Sequence, residues 1–279
     1  MKQRIISALV GIALLIFILV VRDTFIFNLA VALLAAMAVT EILHCVNIRR
    51  LSIYIPCIVF SVAVPFIITI SGISLLAIAI IFSLTMLIIY LKNHDIIRYE
   101  TISMSVVTSF FVSVSFGSLI CLKDVSRLFP TCFEKADGLF LLMMVLICSW
   151  ATDSGAYFTG IFLGKHKLAP TISPKKTIEG AIGGIIVCVL VNILSAFIFD
   201  RYIFQTPHIS YWVVGILSVF LSVVGMLGDL NASLIKRNFN AKDFGHIMPG
   251  HGGVMDRFDS VSFVAPVLYA IIMIFTAIL

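Results

Sequence analysis

Nine apolar runs divide this 279-residue chain, and they restrict its fold more than any other feature of the sequence. Several are close to the ~20 residues that an α-helix needs to cross a bilayer. Backbone groups in lipid must be hydrogen-bonded within the chain, which a helix achieves by itself. We therefore expect an all-α, polytopic integral membrane protein with about nine transmembrane helices. The runs cover residues 1–21, 24–44, 51–70, 73–91, 102–122, 138–163, 179–199, 211–235 and 260–279.

The basic residues between these runs are distributed unevenly. When the connecting loops are assigned alternately to the two sides of a membrane, fourteen of the 19 Lys and Arg fall on one side. Because cytoplasmic loops are enriched in Lys and Arg, this predicts a protein of the cytoplasmic or inner membrane with a cytoplasmic N-terminus and an outside C-terminus. Eight of the fourteen lie in two loops, 165–176 and 236–257, so both loops are expected on the cytoplasmic side.

Composition excludes some classes of function. Only 12% of the residues are charged, and no basic amphipathic surface interleaved with aromatic residues is present, so the net charge of +5 does not indicate nucleic-acid binding. The six cysteines form no CxxC pair of the kind that binds zinc. By the positions of the two basic loops, we divide the chain into N-terminal transmembrane helices, 1–137, and a catalytic transmembrane region, 138–279.

The stretch from residue 225 to residue 260 concentrates chemistry that the rest of the chain avoids. It holds four aspartates, four Lys or Arg, two histidines and six glycines within 36 residues. Asp229, Ser233 and Lys236 are spaced i, i+4 and i+7, which places them on one face of a helix. Carboxylates and basic groups on one face are typical of a site that binds a metal and a phosphate.

Asp256 and Asp259 follow the segment MPGHGG, which must be irregular because Pro lacks an N–H group and Gly permits left-handed φ. Their i, i+3 spacing predicts that the two carboxylates share a helix face. Mg²⁺ typically takes one or two carboxylates plus substrate phosphates. We predict Asp229, Asp256 and Asp259 as its ligands, with nearby basic residues neutralising a triphosphate. The residues thus indicate phosphoryl or nucleotidyl transfer at a membrane face.

The other basic loop contains the sequence ISPKKTIEG. Ser173 suits a helix N-cap and Pro174 the first helical position, so a helix is predicted to begin there. Its free backbone N–H groups, with Lys175 and Lys176, would bind an anion. Glu179 is expected to pair with Lys175 one turn earlier.

Asp153 lies near the end of the sixth apolar run. A charged residue there costs about 2.5–3.5 kcal/mol on insertion scales, so Asp153 is expected to face a partner or a cavity. A transporter would also use intramembrane aspartates and glycine-broken helices. That alternative leaves the clustering of charge in two same-side loops unexplained. No GxxxxGK[ST] loop is present, which argues against a P-loop ATPase.

The run SLIKRNFNAKDFGHIMPGHGGVMDRFD resembles the signature of the phosphatidate cytidylyltransferases, or CDP-diacylglycerol synthases. The similarity includes GDL before it, and DSGAY and ISPKKTIEG upstream. Two positions differ from the usual bacterial pattern. Asn231-Ala232 stands where an acidic residue commonly precedes the serine, and Phe244 stands where a small residue is usual.

The resemblance implies transfer of CMP from CTP to phosphatidic acid in the bilayer, with Mg²⁺ and release of pyrophosphate. It also implies a homodimer. Asp229, Lys236, Asp256 and Asp259 are its expected catalytic residues. Residues expected to bind substrate are Lys167, Ser173, Lys175, Lys176, Ser233, Arg237, Lys242, His251, Gly252, Gly253 and Arg257, and Asp153 and Asp243 are further candidates.

Two other lipid enzymes compete with this interpretation. An enzyme acting on polyprenyl phosphates with another nucleotide would also use cytoplasmic carboxylates and Mg²⁺, and it remains open at this stage. A CDP-alcohol phosphotransferase is disfavoured because its DGxxAR…GxxxDxxxD spacing is absent.

Overall fold

The computed structural model describes residues 2–70, 72–205, 208–248 and 252–278, most of which are helical. Each of the nine predicted apolar runs forms one long helix, which confirms the all-α membrane class. These helices are α1 (Lys2–Val20), α2 (Phe25–Cys45), α3 (Leu51–Ile67), α4 (Gly72–Lys92), α5 (Tyr99–Lys123), α7 (Lys135–Leu163), α8 (Ile178–Phe199), α9 (Tyr211–Asn238) and α11 (Val261–Ile278). The described part also has two single-turn helices, α6 (Val125–Leu128) and α10 (Met255–Phe258), and a π-helical turn at Asp200–Phe204.

Within the described residues, seven helices are long and apolar enough to cross a membrane: α2, α4, α5, α7, α8, α9 and α11. The other two predicted spans contain shorter apolar helices. Leu51–Ile67 has 17 residues, and Leu9–Val20 is shorter still. Leu51–Ile67 is a few residues short of a ~20-residue crossing, whereas α1 as a whole has 19 residues. The chain is thus built as an integral membrane protein, and the count of nine spans stays a prediction.

The chain forms two compact units. The first consists of Met1–Cys121 with Asn238–Phe258, and the second of Leu122–Arg237 with Asp259–Leu279. Each unit takes residues from both predicted regions, 1–137 and 138–279. That predicted division rests on where the two motif loops lie in the sequence, and it stays a prediction about function.

Aromatic side chains join the helices of the first unit. Phe60 of α3 stacks on Phe82 of α4 with ring centroids 4.3 Å apart, and Phe110 of α5 packs on Phe60 at 4.8 Å. Phe116 of α5 meets Phe258 of α10 at 5.7 Å. Such pairs contribute roughly 0.5–1.5 kcal/mol each beyond their buried area. The last contact fixes α10 against the core of its unit.

Glycines bring α7 and α8 of the second unit into close contact. A Cβ atom at Gly155 of α7 would lie 2.8 Å from the Cβ of Val187. One at Gly184 of α8 would lie 2.6 Å from the carbonyl oxygen of Thr152. Small residues allow membrane helices to approach this closely. Gly155 and Gly184 therefore allow α7 and α8 to pack closely.

A short antiparallel hairpin connects α7 to α8. Its strands are β1 (Lys167–Ala169) and β2 (Ser173–Thr177), and Lys167 lies opposite Thr177. Strand pairing extends to the start of α8, because the N–H of Ile178 donates to the carbonyl of His166 at 2.9 Å. The hairpin is the one sheet in the described part of the chain.

The predicted helix start at Ser173 and Pro174 is wrong, since both residues lie in β2. Thr177 is the N-cap instead, and its hydroxyl accepts the N–H of Gly180 at 3.1 Å. The physical reason is the hairpin itself, which keeps the backbone extended up to Thr177. Lys175 and Lys176 are therefore presented by a strand and not by the first turn of a helix.

Candidate active site

Asp229, Ser233 and Lys236 lie on one face of α9, as their spacing predicted. The hydroxyl of Ser233 donates to Oδ1 of Asp229 at 3.4 Å, so these two side chains share a helix face. Lys236 follows one turn after Ser233 and is half-buried. Its positive charge acts on a carboxylate outside α9, that of Asp259.

An ion pair joins the loop 165–176 to helix α9. The ammonium group of Lys176, in β2, forms an ion pair with Oδ2 of Asp229, in α9. Both side chains are about three-quarters buried, with 26% and 22% of their surface exposed. A half-buried ion pair is screened less by water than a surface pair. The pair joins a basic group of the ISPKKTIEG segment to a carboxylate of α9.

Asp259 lies beside Asp229 because α9 approaches it closely. A Cβ atom at Gly228 would lie 3.0 Å from the carbonyl oxygen of Asp259, so glycine is needed for this contact. Asp259 is 7% exposed, and its Oδ1 accepts the N–H of Ser260 at 2.7 Å. Gly228 thus allows Asp229 in α9 and Asp259, in the turn between α10 and α11, to lie in one neighbourhood.

The electrostatics of this neighbourhood favour a bound cation. Burial, together with the negative charges of Asp229 and Asp153, raises the pKa of Asp259 to about 7. The Ser260 N–H and the charge of Lys236 act in the opposite direction and lower the pKa. Ionising Asp259 is therefore costly in the protein alone, and a metal ion or other cation would offset that cost.

Asp256 has a different environment in the first unit. Its Oδ2 accepts the N–H of Phe244 at 2.8 Å and the N–H of Gly253 at 3.0 Å. The prediction that Asp256 and Asp259 share a helix face is wrong, because α10 ends at Phe258 and Asp259 lies beyond it. These contacts have the character of a loop clasp formed with backbone N–H groups.

Gly252 adopts a backbone conformation that favours glycine. It has φ +83°, which side chains other than glycine rarely adopt, and its carbonyl accepts the N–H of Met248 at 2.9 Å. His251, a predicted phosphate ligand, lies outside the described residues. The need for glycine at position 252 therefore has a conformational cause.

The remaining residues predicted to bind substrate or metal differ in how far they are buried. Asp153 on α7 is exposed and Asp243 is half-buried. Ser233 and Ser173 are half-buried, and Gly253 is buried. The exposed basic residues are Lys167, Lys175, Arg237, Lys242 and Arg257.

Glu179 has a role that differs from the predicted one. Instead of pairing with Lys175, its carboxylate accepts the backbone N–H of Lys165 at 3.0 Å and that of His166 at 3.2 Å. Its Oε1 also lies 2.6 Å from Nδ1 of His166. Because Lys175 is carried by β2, a helical i, i+4 pair with Glu179 cannot form. Glu179 instead anchors the start of the hairpin to the first turn of α8.

Glu41 is a residue that the sequence analysis missed. It lies in α2, is 3% exposed, and its carboxylate accepts the N–H groups of Val254 and Met255. A signal was present, since a carboxylate within an apolar span is costly unless it has a partner. Its partner could not be found by pattern, because 213 positions of sequence separate Glu41 from Val254.

The positions of the acidic side chains test whether the predicted magnesium site fits the structure. Among the described residues, no group of three or more His, Cys, Asp or Glu side chains is placed to hold one ion. Asp229 and Asp259 do act on each other electrostatically. Mg²⁺ commonly binds proteins through one or two carboxylates and completes its shell with substrate phosphates. The pair Asp229 and Asp259 fits that requirement.

Comparison with known proteins gives a consistent result over nearly the whole chain. Residues 2–275 match the model of the cytidylyltransferase family. A protein of Staphylococcus epidermidis named phosphatidate cytidylyltransferase is 35% identical over 273 residues, which cover 96% of this chain and 97% of that protein.

Two further relatives carry the same name. One from Bacillus subtilis is 37% identical over 205 residues, covering 74% of this chain and 71% of its own. One from Staphylococcus haemolyticus is 46% identical over 134 residues, and this match spans about half of each protein, 48% and 49%. On the match of its full length, this chain belongs to the cytidylyltransferase family.

Proposed function

We propose that this protein transfers CMP from CTP to phosphatidic acid, giving CDP-diacylglycerol and pyrophosphate for phospholipid biosynthesis. The observation that carries the proposal is the similarity over 96% of the chain to a relative named phosphatidate cytidylyltransferase. The ion pair between Lys176 and Asp229 supports it, because it places a cationic group of the ISPKKTIEG segment against a carboxylate of α9. A nucleotidyl transfer needs both, one to bind phosphates and one to bind a metal.

In the proposed reaction, a phosphate oxygen of phosphatidic acid forms a bond to the α-phosphorus of CTP. The bond between that phosphorus and the oxygen leading to the β-phosphorus breaks, and pyrophosphate leaves. The lipid phosphate is already anionic at neutral pH, so no strong base is required. Lys176 and Lys236 would offset the negative charge of the triphosphate, which is the main demand of such a reaction.

We propose Asp229 and Asp259 as the residues that hold Mg²⁺. Bound there, the ion would supply Lewis-acid stabilisation of charge on the transferring phosphate. The third predicted ligand, Asp256, rests on sequence spacing and family resemblance, and its role as a ligand stays a prediction. The resemblance also assigns phosphate contacts to His251 and to the N–H groups of Gly252 and Gly253. Because the N–H of Gly253 already donates to Oδ2 of Asp256, we keep the phosphate contact for the N–H of Gly252.

The activity has a direct test that also decides among the alternatives. Purified protein should convert CTP and phosphatidic acid to CDP-diacylglycerol, and chelation of divalent metal should abolish the product. Polyprenyl phosphate is the control acceptor, and ATP, GTP and UTP are the control donors. Faster turnover with polyprenyl phosphate or with another nucleotide would overturn the proposal, and undiminished turnover after chelation would remove its metal component.

We propose that the N-terminus and both motif loops face the cytoplasm, on the basis of the distribution of Lys and Arg. Cysteines introduced as Ser173→Cys and Met248→Cys should react with an impermeant maleimide only from the cytoplasmic side. The exposed native Cys132 lies in the loop 123–135, which is expected on the opposite side, and provides an internal control. Labelling of all three from one side would contradict this orientation.

A homodimer is a further proposal, and the family resemblance is its only support. Native mass spectrometry of the detergent-solubilised protein would measure the state directly. A mass of twice the 30.7 kDa chain is expected.

A further inference from the structure

Glu41 is a carboxylate buried where the sequence is otherwise apolar. It lies in the second-last turn of α2, a helix long and apolar enough to span a membrane, and only 3% of its surface is exposed. Burying a charge in such a helix is costly unless partners satisfy it. The identity of those partners therefore indicates what the residue does.

The partners are two consecutive backbone N–H groups at the end of the glycine loop. The N–H of Val254 donates to Oε1 at 2.9 Å, and the N–H of Met255 donates to Oε2 at 2.8 Å. Each carboxylate oxygen thus accepts one backbone donor. Hydrogen bonds to a carboxylate are stronger than those to a neutral acceptor. Glu41 also gives partners to two N–H groups at the start of α10, where no helical carbonyl is available to them.

Two glycines of the loop are fitted around the same carboxylate. A Cβ atom at Gly245 would lie 2.5 Å from Oε1 of Glu41, and one at Gly253 would lie closer still. Both positions therefore exclude any larger residue while Glu41 is in place. The loop backbone therefore lies close to Glu41 at both positions, which explains the glycines at 245 and 253.

Asp256 completes the arrangement. Its Oδ2 accepts the N–H of Gly253, next to the N–H of Val254 that Glu41 binds, and also the N–H of Phe244. Four backbone N–H groups between residues 244 and 255 are thus bound by two carboxylates. One carboxylate belongs to the loop region itself, and the other comes from a distant membrane helix.

We infer that Glu41 is a positioning residue for the substrate-binding segment Gly252–Met255. The inference rests on the proposed function, because that function assigns a phosphate contact to the N–H of Gly252. Glu41 touches no reacting atom in this account. It fixes the backbone that follows Gly252, whose N–H group is assigned to the phosphate, and small displacements of such a group reduce rates by up to about 100-fold.

The variant Glu41→Gln tests this inference. Glutamine keeps the size of glutamate but has one acceptor oxygen, and its NH₂ group would face an N–H donor. We expect amide hydrogen exchange at Val254 and Met255 to become at least ~10-fold faster, and kcat/KM to fall ~10-fold to 100-fold. The variant Glu41→Asp keeps both oxygens on a shorter side chain and should recover part of both losses. Glu100→Gln, at an exposed position in the first turn of α5, is the matched control and should match the wild type.

The outcomes separate this inference from the proposed function. If wild-type protein makes no CDP-diacylglycerol, the proposed function is refuted. The exchange measurement on Val254 and Met255 still reports on their hydrogen bonds to Glu41. Unchanged amide exchange in Glu41→Gln would show that Glu41 does not hold these N–H groups and would overturn the inference. Faster exchange with unchanged kcat/KM per folded molecule would reduce Glu41 to a structural residue and also overturn the inference. If Glu41→Gln fails to fold, the same two measurements on Glu41→Asp decide, with losses in both required.

Discussion

Replacing Asp259 with Asn is expected to reduce kcat by at least about 100-fold while the protein remains inserted and folded. Asparagine preserves the size and one oxygen of the side chain but removes the charge that would bind Mg²⁺. Asp259 is buried beside Asp229, so no other group replaces that charge from solvent. Raising the Mg²⁺ concentration should partly restore turnover. Mg²⁺ should also raise the Tm of the wild type more than that of the variant, because only a bound ion stabilises the folded state.

Asp200 provides a matched control. It is also 7% exposed, and it directly follows the C-terminal end of α8, away from the hairpin that precedes this helix. Its carboxylate accepts the N–H groups of His208 and Ile209, both at 3.1 Å, and the hydroxyl of Tyr211 at 2.8 Å. Asp200→Asn should lower stability by about 1–3 kcal/mol and leave turnover per folded molecule near normal. A near-normal kcat for Asp259→Asn at ordinary Mg²⁺ concentration would rule out its metal role.

Lys176→Ala is expected to raise the KM for CTP about 10-fold or more. Lys176 forms the ion pair with Asp229 and is half-buried, so its charge acts in a less screened environment than that of an exposed residue. A charge that binds the triphosphate before and during the reaction contributes to substrate binding, and its loss appears mainly in KM. The measurement is steady-state kinetics with each substrate varied in turn.

Lys175→Ala provides the comparison, because Lys175 is the preceding residue of the same strand but is exposed. The sequence alone predicted similar effects for both lysines. With the structure, we expect the smaller rise in the KM for CTP at Lys175. An unchanged KM for CTP combined with a higher KM for phosphatidic acid would move Lys176 to the lipid site.

The helices could be predicted from the sequence because the bilayer imposes a simple rule. An apolar run near 20 residues in lipid has few alternatives to a helix, so run boundaries and helix boundaries nearly coincide. The shared face of Asp229 and Ser233 followed in the same way, since the periodicity of a helix fixes it. These predictions depend only on local sequence.

The rest depends on contacts that local sequence does not contain. Ser173-Pro174 has the chemistry of a helix start, but pairing between β1 and β2 keeps it extended and moves the cap to Thr177. The i, i+3 spacing of Asp256 and Asp259 indicates a shared face only if one helix includes both, and α10 ends before Asp259. Glu41 binds a segment more than 200 residues away. Such tertiary partners require the folded chain.

The central claim is transfer of the CMP group, and labelled phosphorus tests it most directly. Purified protein in mixed micelles with phosphatidic acid receives CTP labelled at the α-phosphorus in one reaction and at the γ-phosphorus in the other. The proposed reaction places the α-label in the lipid product and the γ-label in released pyrophosphate, with equal amounts of the two products. Appearance of the γ-label in lipid would show phosphoryl transfer and contradict the proposed function, as would the absence of the α-label from lipid.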